Sequence, residues 1–148
     1  MAKTGTPPRW LKHVNPVIVA MNRLGVAIEN GAVLMVPGRR SGTLRNTPVS
    51  VLPLDGSRYL LAGYPSAEWP RNVRAAGGSA TLAVGRRKEP VRLVELDAAA
   101  AEPILRAWPE RIPGGAKVMR DAGVVPDTSP DAFARLAGTC AVFRVERV

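Results

Sequence analysis

Three arginines and two glycines stand close together in the stretch from Pro37 to Arg45. An apolar run, Ala32–Val36, precedes this stretch, and a second run, Thr47–Leu52, follows it. Arginine carries fixed positive charge and forked donors that suit phosphate or carboxylate groups, and glycine lets the backbone approach a ligand closely. The pattern therefore predicts an anion-binding loop between two strands. The alternative is a solvated basic hairpin tip.

The loop matches neither of two common phosphate-binding motifs. It lacks the Gly-Lys-Ser/Thr ending of a Walker A loop, and it connects two strands instead of opening a helix as a Rossmann fingerprint does. No carboxylate lies between Glu29 and Asp55, so no acid pair suggests itself for general acid–base chemistry, and Ser41 and Ser66 have no obvious base. Any chemistry is therefore expected to come from a bound cofactor.

Composition limits the class of protein. The chain has 148 residues, enough for one domain with a hydrophobic core, and a net charge of +9 that comes mostly from arginine. This charge indicates a polyanionic ligand such as a phosphorylated cofactor, nucleic acid or anionic lipid, unless it reflects a general arginine preference. The single cysteine, Cys140, and the single histidine, His13, argue against a disulfide framework and a zinc site, so no metal is expected. Cys140 is expected in the core, and a reduced, intracellular setting is favoured.

Apolar residues from Trp10 to Ile28 recur in steps of three and four, which predicts an amphipathic helix. We expect this helix to pack on the domain; contact with a membrane or a hydrophobic substrate is the alternative. No apolar run of 18 residues is present, so no transmembrane helix is expected. The predicted organisation is a tail and helix over residues 1–29, followed by a single domain over 30–148.

The rest of the chain predicts a mainly β (α+β) fold, a small antiparallel barrel or strongly curled sheet, with few and short helices. Six strands are predicted, over Ala32–Val36, Thr47–Leu54, Arg58–Gly63, Ala80–Gly85, Pro90–Leu96 and Thr139–Val145. Three helices are predicted: one that begins near Trp69, one over Ala98–Trp108 and one over Asp131–Ala137. Arg86–Glu89 is interpreted as a turn, and residues 109–128 are not assigned.

The helix near Trp69 carries an amide on its apolar face. Trp69, Asn72, Val73 and Ala76 are spaced at positions i, i+3, i+4 and i+7, which share one side of a helix. A buried asparagine needs hydrogen-bond partners. We therefore expect Asn72 to bond either neighbouring backbone or a ligand.

Three runs in this order, Gly38–Pro48, Arg58–Gly63 and Trp69–Ala75, resemble the deazaflavin-dependent nitroreductase family. The resemblance covers about residues 30–97 and the last strand. It implies an actinobacterial oxidoreductase with a six-stranded antiparallel split β-barrel.

 It also implies that the deazaflavin coenzyme F-420 serves as hydride carrier, that the protein forms a homodimer, and that short helices and the N-terminal helix flank the barrel.

Site residues follow from the resemblance by position. The phosphate and oligoglutamate tail of the cofactor would be held by Gly38, Arg39, Arg40, Ser41, Gly42 and Arg45. The resemblance also implies that Pro48 packs near the cofactor and that Trp69 and Asn72 shape the far side of the pocket. It implies that the deazaflavin ring is lined by Ala62, Gly63 and Tyr64. It further implies hydride transfer to a small hydrophobic acceptor, an activated alkene, nitro compound or quinone. Tyr64 is the candidate catalytic donor of a proton or hydrogen bond; the alternative is that it stacks on the cofactor or packs on Trp69.

The chain departs from the family pattern after Ala62, where Gly63-Tyr64-Pro65 replaces a Ser or Thr and a Lys of many members. Two alternatives therefore stay open: an FMN-dependent relative, and a membrane-associated binder of fatty acid or lipid without reductase activity. Nucleic acid is not expected as a partner, because the aromatic residues are not interleaved with the basic clusters. A cytoplasmic protein is expected, with peripheral membrane contact through the N-terminal helix in the lipid-binding alternative.

Overall fold

A computed structural model describes residues 29–148, which form one antiparallel sheet flanked by helices. The described strands β1 to β7 are Gly31–Pro37, Leu44–Ser50, Leu52–Leu54, Ser57–Leu61, Ser79–Val84, Arg87–Glu95 and Val142–Arg147. The described helices α1 to α4 are Glu68–Ala75, Ala98–Arg111, Pro113–Asp121 and Pro130–Ala134. The helix predicted over Trp10–Ile28 lies outside the described residues.

The sheet has the strand order β2-β1-β5-β6-β7-β4-β3, and every pairing is antiparallel. Its two edge strands, β2 and β3, are consecutive in the chain and are separated by Val51 alone. The Val51 N–H donates to the carbonyl of Asn30 (2.9 Å), and β2 lies beside β4. The sheet therefore curls strongly and brings β2 near β4 without pairing the two strands, which gives a half-barrel shape.

The described residues contain seven strands instead of the six predicted. The sequence predicts Thr47–Leu54 as one strand because its apolar residues alternate throughout. In the structure, the first part pairs with β1 and the second part pairs with β4, so the chain must bend at Val51. The predicted turn Arg86–Glu89 is also wrong in part, because Arg87 already pairs with Val84 and opens β6.

Two apolar clusters cover opposite faces of the curled sheet. Successive residues of β4 point to opposite faces of the sheet and therefore join different clusters. Leu60 belongs to the first cluster, with Phe143 and α1, whereas Leu61 belongs to the second cluster, with α2 and α4. The helix predicted over Ala98–Trp108 is confirmed as α2, and Trp108 is buried in the second cluster. This packing fixes α1 at the end of β1, next to the loop that joins β1 to β2.

Helix α3 lies within the segment that the sequence leaves unassigned. It begins at Pro113, whose fixed φ suits a first helical position, and continues through two glycines. The Glu29 carboxylate accepts hydrogen bonds from the N–H groups of Gly114 (2.6 Å) and Gly115 (3.2 Å). A side chain distant in sequence therefore supplies the N-terminal cap that the local sequence lacks.

Candidate functional site

The loop Gly38–Thr43 joins β1 to β2 and is called the arginine loop here. The Gly38 N–H donates to the Thr43 carbonyl (2.7 Å), the Gly42 N–H to the Gly38 carbonyl (2.9 Å), and the Thr43 N–H to Ser41 Oγ (3.1 Å). Gly42 adopts a φ of 74°, a left-handed conformation that favours glycine. The loop is thus a closed turn in which three of the six N–H groups bond within the loop itself.

Helix α1 holds the arginine loop through Asn72. The Asn72 side chain is only 6% exposed, and its Oδ1 accepts hydrogen bonds from the Arg39 backbone N–H (3.1 Å) and from Arg39 Nη1 (2.9 Å). Sequence reasoning left backbone and ligand open as partners of Asn72. In the structure, the partner is Arg39, so one amide fixes both the loop backbone and the direction of its first guanidinium.

Glu68, in the first turn of α1, is a site residue that sequence reasoning missed. Its Oε1 lies 2.8 Å from Arg39 Nη1, and its Oε2 lies 4.0 Å from Arg71 Nη1. The hydrogen bond and charge of Arg39, together with the charges of Arg71 and Arg40, hold the pKa of Glu68 below its usual value. The signal available in the sequence was an acidic residue four positions before Asn72, on the same side of the helix.

A cavity of about 620 Å³ lies between the arginine loop, the start of β2 and α1. Its walls are formed by Gly38, Arg39, Arg40, Ser41, Leu44, Arg45, Asn46, Thr47, Glu68, Trp69 and Asn72. Three guanidiniums and one carboxylate leave the cavity with net positive charge. Trp69 forms the apolar wall and packs against Phe143, with ring centroids 5.3 Å apart.

Four predicted ring-binding residues do not line this cavity. Ala62 is buried in the cluster beneath Trp69, Gly63 is half-buried beside it, and Pro48 is exposed on β2. Tyr64 follows β4 and its side chain is 53% exposed. Their assignment to the cofactor ring, and that of Tyr64 to catalysis, stay predictions.

Other candidates for chemistry lie away from the cavity. Cys140 is buried, and burial raises the pKa of its thiol to about 11, which disfavours the nucleophilic thiolate at neutral pH. His13 lies outside the described residues. Over residues 29–148, no group of three or more His, Cys, Asp or Glu side chains could hold a metal ion, and no helix is long and apolar enough to cross a membrane.

Comparison with known proteins adds evidence at the level of the fold. No family model and no curated protein matches this chain. A solved F-420-H2-dependent reductase, FDR-A, is similar over 79% of this chain and 94% of its own, with a TM-score of 0.54 and 22% sequence identity. The two proteins share a fold.

Two further solved structures resemble the chain. One is described as a domain-swapped dimer, with a TM-score of 0.56 and 19% identity over 95% of this chain and 100% of its own. The other is a protein of unknown function from Agrobacterium tumefaciens, with a TM-score of 0.56 and 13% identity over 97% of this chain and 58% of its own. At these identities the similarity is one of fold.

Proposed function

We propose that the protein is an oxidoreductase that uses the deazaflavin coenzyme F-420 to reduce a small hydrophobic acceptor. The observation that carries the proposal is the positively charged cavity beside Trp69, on a fold shared with an F-420-H2-dependent reductase. When bound, the reduced coenzyme supplies a hydride equivalent to an activated alkene, nitro compound or quinone. The protein's groups orient the two reactants and neutralise charge around them.

The donors of the cavity suit the phosphate and carboxylates of the coenzyme's arm. Arg40 and Arg45 form no ion pair with any described residue, so both guanidiniums are available. Within residues 29–148, the N–H groups of Arg40 and Ser41 also have no hydrogen-bond partner. A Cβ at Gly38 would lie 3.3 Å from both Arg45 Nε and Ser41 Oγ, so the absence of a side chain there lets these groups converge.

The ring of the coenzyme would lie against Trp69, which is the aromatic wall of the cavity. Gly63 and Tyr64 follow β4 and lie outside the cavity wall, and the proposal has them contact the part of the ring that extends beyond it. The exposed Tyr64 hydroxyl would then donate a hydrogen bond or proton to the reduced acceptor. The similarity to a domain-swapped dimer supports a homodimer, which sedimentation analysis would detect.

Ligand titration followed by tryptophan fluorescence tests the proposal. Coenzyme F-420, FMN and palmitate are each added to the purified protein, and F-420 is expected to quench the emission at micromolar concentration because Trp69 lines the cavity. The Trp69→Phe variant should lose most of the quenching. No response to F-420 would contradict the proposal, a response to FMN alone would indicate a flavin-dependent enzyme, and a response to palmitate alone would indicate a lipid binder.

Two arginine variants test whether the cavity holds the anionic arm. Loss of a hydrogen bond to a charged group costs about 1.5–3 kcal/mol, so Arg40→Ala and Arg45→Ala should each weaken F-420 binding about 10- to 100-fold. Arg86→Ala is the matched control, because Arg86 is exposed in the β5–β6 turn and lines no part of the cavity. If all three variants bind equally well, the arm lies elsewhere.

A further inference from the structure

Glu68 places a negative charge inside a site that is otherwise built for anions. Of the residues that line the cavity, Glu68 alone carries a carboxylate, and it binds the guanidinium of Arg39 at 2.8 Å. A carboxylate offers the same acceptor atoms as the anionic groups that the cavity suits. Glu68 therefore occupies, at Arg39, the position that an anion of the ligand would take.

The two partners of this ion pair are held very differently. The Arg39 side chain is 22% exposed and is fixed by its hydrogen bond to the buried Asn72. The Glu68 side chain is 66% exposed, and its second oxygen lies 4.0 Å from Arg71, which does not line the cavity. The carboxylate can thus turn towards Arg71 and keep a cationic partner, while the guanidinium stays in place.

An ion pair with this exposure is weak, because water screens it and both side chains lose freedom when they pair. A phosphate group carries more charge and more acceptor oxygens than a carboxylate, so it can displace Glu68 from Arg39. A ligand that brings only one carboxylate gains little by the same exchange. The contact at Arg39 therefore favours phosphate over carboxylate.

We propose that Glu68 is an internal competitor for the anion of the ligand, which occupies Arg39 until a phosphate group displaces it towards Arg71. The inference rests on the proposed function in treating the cavity as the site of an anionic group. It makes Glu68 a residue that determines specificity, since it sets the charge that a ligand must bring.

Inorganic pyrophosphate is a probe that needs no cofactor. Its dissociation constant is measured by calorimetry at low ionic strength for the wild type and for Glu68→Gln, which keeps the size of the side chain but removes the charge. We expect Glu68→Gln to bind about two- to fivefold more tightly. Glu102→Gln is the matched control, because Glu102 is a similarly exposed partner of Arg106 on α2 and lies outside the cavity; its affinity should be unchanged.

A second variant tests the movement towards Arg71. Arg71→Ala should weaken pyrophosphate binding in the wild type, because the displaced carboxylate then loses its second partner, and should have little effect when combined with Glu68→Gln. Equal weakening in both backgrounds would indicate simple loss of charge and overturn the displacement step.

The outcomes separate this inference from the proposed function. Unchanged or weaker pyrophosphate binding in Glu68→Gln would overturn the inference, as would a complete lack of pyrophosphate binding in both proteins. If Glu68→Gln binds pyrophosphate more tightly but neither protein binds F-420, the competitor role is supported and the proposed function is contradicted. Thermal unfolding of Glu68→Gln checks that the variant folds.

Discussion

Asn72 joins two elements that are 33 residues apart in the chain, the arginine loop and α1. Its oxygen accepts both the backbone N–H and the guanidinium of Arg39, and the residue is buried. Asn46 lines the same cavity, but its buried Oδ1 has no hydrogen-bond partner in the described part of the chain. The two asparagines therefore offer a matched pair of variants for measuring how much the hydrogen bonds between Asn72 and Arg39 contribute to stability.

We expect Asn72→Ala to lower the free energy of unfolding by about 1–3 kcal/mol, because it leaves the Arg39 N–H without its partner. Asn46→Ala should cost less than about 1 kcal/mol, since no hydrogen bond to its oxygen is lost. Urea unfolding of both variants measures the difference. Equal losses of unfolding free energy in the two variants would contradict a stabilising role for the hydrogen bonds between Asn72 and Arg39.

The residue types of the site could be predicted from the sequence, but their contacts could not. Arg39 and Asn72 were identified because a clustered arginine and an amide on an apolar helix face are both unusual. Glu68 could not be predicted because its partner, Arg39, belongs to a different part of the sequence. Only the fold brings α1 and the arginine loop together.

At the scale of the elements, two consecutive glycines direct the chain from α1 into β5. Gly77 and Gly78 adopt φ values of 66° and 90°, both in the region that favours glycine. The Gly78 N–H donates to the carbonyl of Val73 (2.9 Å) and its carbonyl accepts from the N–H of Leu93 (2.8 Å). Gly78 thus ends the helix and joins it to β6.

A methyl group should be tolerated at one of these glycines and not at the other. A Cβ at Gly78 would lie 2.7 Å from the backbone oxygen of Leu93, whereas a Cβ at Gly77 would meet nothing within 4 Å. We expect Gly77→Ala to cost about 1–2 kcal/mol from backbone strain alone, and Gly78→Ala to cost at least about 3 kcal/mol. Chemical denaturation of both variants provides the comparison, and equal costs would contradict the close contact at Gly78.

Most elements of the fold were predictable because each has a local cause. Strand β1 and helix α4 are confirmed at nearly the predicted positions, and the Ser129 hydroxyl caps α4 by accepting a hydrogen bond from the Ala132 N–H. The bend at Val51 and the helix α3 were not predicted. Both depend on distant partners, Asn30 for the first and Glu29 for the second, which no local pattern reveals.

At the scale of the whole molecule, ion pairs join the elements of a strongly basic protein. Two pairs connect β6 to other elements: Glu89 binds Arg58 of β4 through two hydrogen bonds (3.0 and 2.9 Å), and Glu95 binds Arg74 of α1 (2.8 and 2.7 Å). In each case the hydrogen bond from the arginine is the main reason that the pKa of the carboxylate lies below its usual value.

These lowered pKa values predict loss of stability in acid. The stabilisation is fully present above the unfolded pKa of about 4.5 and is lost as the pH falls through the lower pKa of the folded state, because the unfolded chain binds protons first. Self-repulsion of the positive charge adds to the loss. Urea unfolding between pH 7 and pH 3 should show a decline that begins near pH 4.5, and the decline should be smaller in Glu89→Gln; an identical decline would exclude a contribution from this pair.

The central position of β7 has a consequence for protein synthesis. Strand β7 pairs with β4 on one side and β6 on the other, yet it is made after every other strand of the described sheet. Until Val142–Arg147 emerges, β4 and β6 each present an unpaired edge that other chains can bind. The nascent protein therefore carries both exposed strand edges from the end of β6 at Glu95 to the start of β7 at Val142, and the sheet is complete only after β7 has paired.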